Sequence, residues 1–117
     1  MAVSTVTANI AHFTGEDKTI DCIVYASDLI TPRNITGWMM QFVVHAYGDP
    51  DTVFFVKSTM AGTIVFTNPT VGALSILIFR ADTLNLRATQ EYEFYLERTD
   101  PGEDCVVTHG LYTLLRL

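Results

Sequence analysis

The stretch Glu91-Tyr92-Glu93-Phe94-Tyr95-Leu96-Glu97-Arg98 decides the fold class. Tyr92, Phe94 and Leu96 alternate with Glu91, Glu93, Tyr95 and Glu97. This period of two predicts a strand with one apolar face and one mostly polar face. The same alternation recurs on both sides. Leu74, Ile76 and Ile78 alternate with Ser75 and Leu77; Ile64 and Phe66 alternate with Thr63, Val65 and Thr67. Ile20, Cys22 and Val24 alternate with Asp21, Ile23 and Tyr25. Trp38, Met40, Phe42 and Val44 alternate with Met39, Gln41, Val43 and His45.

Turn signals separate the runs: Thr14-Gly15-Glu16-Asp17, Gly48-Asp49-Pro50-Asp51, Asn68-Pro69-Thr70-Val71-Gly72 and Asp100-Pro101-Gly102-Glu103-Asp104. Gly and Asp tolerate the backbone angles that turns need, and Pro presets one of them. Strands are expected near 3–13, 18–26, 35–47, 52–59, 62–67, 73–79, 91–98, 104–109 and 111–117, with Gly110 as a bend or bulge between the last two. Only 81–88 suggests a helix, of a turn or two, with Asp82 as its cap and Leu84 and Leu86 packing inward. Short strands spaced by turns predict an all-β antiparallel sandwich with one short helical turn, in a single domain over 1–117.

Composition narrows the function. Hydrophobic residues make up 49% of the 117 residues and charged residues only 17%, against about 25% charged in ordinary soluble domains. No apolar run approaches the ~20 residues of a membrane-spanning helix. Met1 to Ala11 lacks the basic start of a signal peptide. Burial against partners is then the expected use of the surplus apolar surface. The formal net charge of −6 and singly scattered basic residues (Lys18, Arg33, Lys57, Arg80, Arg87, Arg98, Arg116) argue against nucleic acid as partner.

Val53, Phe54, Phe55 and Val56 are consecutive, which makes both faces of that strand apolar. Met39 and Val43 lie opposite the Trp38 face, and Leu77 and Phe79 opposite the Ile76 face. Phe54, Phe55, Met39, Val43, Leu77 and Phe79 are therefore the candidate protein interface.

Catalytic constellations are thin. His12, His45 and His109 fall on separate expected strands, with no metal-ligand spacing. Cys22 and Cys105 read as reduced core thiols, and a Cys105–His109 dyad would lack an orienting partner. There is no GxSxG elbow, P-loop or dinucleotide fingerprint. The acidic turns at Asp49–Asp51 and Asp100–Asp104 fit no calcium-loop pattern. A non-enzyme without metal or cofactor is expected. Exposed aromatics (Tyr25, Tyr47, Tyr92, Tyr95 or Trp38) as a sugar platform are the alternative, with core packing the simpler use for Trp38 and Tyr92.

Two segments carry a family resemblance. Asn34-Ile35-Thr36-Gly37-Trp38-Met39-Met40-Gln41-Phe42-Val43-Val44 resembles the "D-[IL]-T-G-W-x-[IV]-x-F-x-[VI]" segment of small bacteriophage tail and baseplate domains. Ala81-Asp82-Thr83-Leu84, Glu91 to Asp100 and Gly110-Leu111-Tyr112-Thr113-Leu114 resemble that group's "A-D-T…Y-x-Y-D-L…T-D…G-x-x-x-[VI]" ending. The group resembled is the N-terminal domain of phage baseplate upper proteins and related short virion proteins. The sequence departs from it at Asn34, where the group has Asp, and at Thr89-Gln90, where it has Gly. The resemblance implies an immunoglobulin-like sandwich. It also implies a multimeric virion structural protein on tail, baseplate or capsid surface, assembled in the bacterial host cytoplasm with other virion proteins as partners. A carbohydrate-binding or host-adhesion module of a phage particle is the alternative function.

Overall fold

A computed structural model of the chain describes residues 6–7, 10–26, 28, 30–86 and 90–115. Alternating residues build two sheets. The larger joins β1 (Val6–Thr7) and β2 (Ile10–Phe13) to one edge of β9 (Cys105–Leu115), followed by β8 (Gln90–Arg98), β4 (Met40–Ala46) and β5 (Asp49–Ser58). The smaller has β7 (Ala73–Ile78) between β3 (Lys18–Ile23) and β6 (Ile64–Asn68). All pairings are antiparallel except those of β1 and β2 with β9, which are parallel. The chain is an all-β sandwich.

The alternation read from sequence sorts the faces. Met40, Phe42, Val44, Tyr92, Phe94, Leu96, Tyr112 and Leu114 of the larger sheet point inward against Ile64, Leu74, Ile76 and Ile78 of the smaller. Phe42 is the centre, with its ring 5.3 Å from Phe94 and 6.3 Å from Tyr112. Each such side chain removed from water contributes about 2 kcal/mol before the entropy of ordering is set against it.

Several boundaries differ from expectation. β5 begins at Asp49, within the expected turn. As an edge strand it tolerates Pro50, whose missing N–H weakens the edge as a template for pairing. The last two expected strands are one, and Gly110 pairs regularly with Phe94. The irregularity falls instead at Val107, between the Leu96–Thr108 and Glu97–Val106 pairs. The helix is a single turn, α1 (Arg80–Thr83). Its Asp82 accepts from the Phe79 N–H at 2.7 Å, so it caps from inside the first turn. Leu86 packs on the core, but Leu84 is exposed. Expected strand positions 3–5, 8–9 and 116–117, and helix positions 87–88, lie outside the described residues.

Polar ties fix the ends. Thr83, fully buried, accepts from the Thr14 hydroxyl through its carbonyl (2.7 Å) and from the Gly15 N–H through its own hydroxyl (2.9 Å). At Gly72 the backbone of Val24 and Arg33 comes into direct contact. A Cβ there would stand 2.5 Å from the Val24 carbonyl oxygen and 2.8 Å from that of Arg33, at φ +74°. Gly48 has the same φ with open space around it. Gly48→Ala is therefore expected to cost about 1 kcal/mol, and Gly72→Ala more than about 3 kcal/mol through strain and clash. Urea unfolding of the two variants checks the difference; equal losses would refute the close approach.

Candidate docking surface

The residues expected to form one interface lie on different parts of the molecule. Phe54 and Phe55 sit at an irregularity in β5, where Val44 pairs with Phe55 and His45 with Val53. Such a bulge breaks the alternation, and both rings go to the inner side. Phe54 lies edge-on to Tyr92 at 5.1 Å and Phe55 edge-on to Tyr112 at 5.9 Å. Phe55 is part of the core wall, and Phe54 is a half-covered rim residue. Met39 precedes β4, its N–H bonded to the Asp100 carboxylate and its carbonyl accepting from the Thr99 N–H at 2.7 Å. Leu77 lies on the outer face of the smaller sheet, half-buried. Phe79 lies at the start of α1, with its ring 4.6 Å from the Lys57 ammonium.

Val43 alone leads to an outer face on which exposed valines stand among polar residues. Pairing register sets Val56, Val43, Tyr95 and His109 side by side across the outer face of the larger sheet. The adjacent row is Val53, His45, Glu93 and Leu111. On the other side lie Ser58, Gln41, Glu97 and Val106. Val43 (2% exposed) and His45 (7%) form the floor, covered by their neighbours. Val53, Val56 and Val106 stand exposed above it. The His45 ring packs 5.7 Å from Tyr95, and its Nδ1 contacts the Ala46 carbonyl at 2.9 Å. Burial, with a smaller contribution from the Glu97 charge, raises the Tyr95 phenol above its ordinary range. The rim is acidic and ordered: Glu97 accepts from the Gln41 amide and Glu93 from the Gly48 N–H at 2.7 Å. The smaller sheet is less apolar outside, because Asp21 and Ser75 meet at 2.6 Å between Ile23 and Val65.

The polar candidates have local work. Asp49 accepts from the Thr52 hydroxyl and, second, from the Asp51 N–H, which hold its carboxyl below the usual range. Among the described residues no three His, Cys, Asp or Glu side chains converge as metal ligands would. His45 and His109 lie on different strands, and Cys105 faces Arg98 in register. Cys22 borders an apolar gap of about 340 Å³ between β3 and β9, lined also by Ile10, Phe42, Ile76, Phe94 and Val107. Burial first, and the Asp21 charge second, push its thiol up to about 11, so it stays protonated at neutral pH. Trp38 and Tyr92 are in the core and Tyr47 is exposed, so these aromatics form no shared platform.

The Trp38 end is held by charge. The Arg98 guanidinium lies 4.1 Å from the Trp38 ring centre and that of Arg33 lies 5.0 Å away. Arg98 donates to Asp100 at 2.9 Å, with Glu103 3.8 Å away. Asn34 accepts from the Thr36 N–H at 3.0 Å and the Thr36 hydroxyl at 2.6 Å, shaping the turn that delivers Trp38. The Arg98 bond foremost lowers the Asp100 carboxyl below its ordinary value; burial opposes it, and the Met39 N–H and the Arg98 charge add to the lowering.

A carboxyl lowered in the folded state adds stability above its unfolded pKa and loses it as pH falls through the lower folded value. Asp100→Asn is thus expected to weaken the fold at pH 7 and to flatten the loss of stability below about pH 4. Denaturant unfolding against pH reads this, and an unchanged acid limb would refute it. The side-chain directions in β5 give a second expectation. Phe55→Asp costs at least about 3 kcal/mol because it buries a charge and opens the core wall, whereas Val56→Asp stays within about 1 kcal/mol. Thermal unfolding compares the two, and equal losses would contradict the inward turn of Phe55. No protein-family model matches the sequence, and no curated protein is similar enough to count as a match.

Proposed function

We propose that the chain is a bacteriophage virion structural protein, a small β-sandwich that docks through the outer face of its larger sheet. The observation that carries the docking part is the exposed pair Val53 and Val56, next to the half-buried Tyr95 across Val43, on a face that a free sandwich keeps polar. The virion part rests on the resemblance of the Trp38 and Tyr92 segments to tail and baseplate domains. Those segments are neighbours here, since β4 pairs with β8 and β8 with β9. The strand order, with β1 and β2 parallel on β9, is read as immunoglobulin-like. Repetition in a symmetric particle would cover these valines and the β5 edge in every copy.

Light scattering across concentrations tests the reading. The wild-type protein is expected to form a defined multimer, and Val53→Lys together with Val56→Lys to give a folded monomer. A multimer unaffected by the paired substitution would move the interface elsewhere. A wild-type monomer at every concentration would overturn the homo-oligomeric part.

A further inference from the structure

Lys57 belongs to none of the surfaces described above. It sits near the end of β5, pairs in register with Phe42, and points inward. It is 4% exposed. Its Nζ lies 2.5 Å from Oδ2 of Asp82, whose side chain is also largely covered. The Phe79 ring is 4.6 Å and the Phe55 ring 6.0 Å from the ammonium. Asp82 is on α1, which follows β7, so the pair spans the two sheets. Burying both ions costs several kcal/mol of lost hydration, which mutual attraction offsets only in part. A reaction that removes both charges at once also removes that cost.

We propose that the Lys57 amine and the Asp82 carboxyl condense into an amide bond that links β5 to α1. Lys57 Nζ bonds to Asp82 Cγ and the Cγ–Oδ1 bond breaks. That oxygen leaves as water with two of the three ammonium protons, and the third stays on the amide nitrogen. The charges cancel, and nothing is oxidised or reduced. The Phe79 N–H, 2.7 Å from Oδ2, is placed to stabilise the negative charge that this oxygen bears in the tetrahedral adduct. Close packing supplies the proximity that makes an unactivated carboxyl reactive.

Intact-mass spectrometry of the purified wild-type protein decides the matter without any variant. The expected mass is that of the sequence, corrected for any loss of Met1, less one water. Digestion is expected to yield a branched peptide joining the segments of Lys57 and Asp82. Asp82→Asn is expected to lose one ammonia in place of water, and Asp82→Ala to keep its full sequence mass. A full wild-type mass in the folded protein overturns the proposal. So does a water loss that digestion places anywhere else.

Discussion

The molecule is governed by the unequal width of its two layers. Neighbouring strands sit ~4.8 Å apart, so the larger sheet extends roughly 10 Å beyond the three strands that oppose it. From β9 to β5 its inner face is apolar apart from Lys57, and what overhangs must be covered by something other than a strand. Near β5 the cover is α1, whose single turn is tied by Thr83 to the turn before β3. At another end it is the crossing segment with Val24, Ile35 and Trp38, all buried. Between β3 and β9 the cover is incomplete among the described residues, and a gap lined by Ile10, Cys22 and Phe94 follows.

Each cover is fastened by polar groups because it lacks the ladder of hydrogen bonds that a strand would bring. Gly72 lets the crossing segment lie directly on backbone carbonyls. Arg98 places its guanidinium against Trp38 and its charge on Asp100, which in turn holds the start of β4 through Met39. Lys57 and Asp82 do the same between β5 and α1 in the least solvated setting. Charged residues in this chain are few, and several of them lie at seams between the layers.

The core was legible in the sequence and the surface was not, for one reason. Alternation reports which residues share a face only while pairing is regular. Tyr92, Phe94 and Leu96 follow it and point inward as expected. At the β5 bulge it fails, and Phe54 and Phe55 turn the same way. The run from Val53 to Val56 is apolar on both faces, as expected, but the bulge puts Phe54 and Phe55 together inside and leaves Val53 and Val56 outside. An isolated Lys in a strand reads as solvated, so only the position of Lys57 two residues after the inward Phe55 signals its burial. The row formed by Val56, Val43, Tyr95 and His109 joins residues far apart in the chain and depends on strand order and register.

The sequence by itself determined the all-β class, most turn positions, the identity of the core residues and the shortage of charge. These follow from period, composition and local backbone preference, which act within a few residues. Tertiary structure alone decided which outer face is apolar, that Phe55 is wall and Val56 is surface, and that Lys57 meets Asp82. Those outcomes depend on the bulge, on the order of strands in each sheet and on the overhang of one layer past the other. Such constraints arise only when distant segments pack, so no local pattern encodes them.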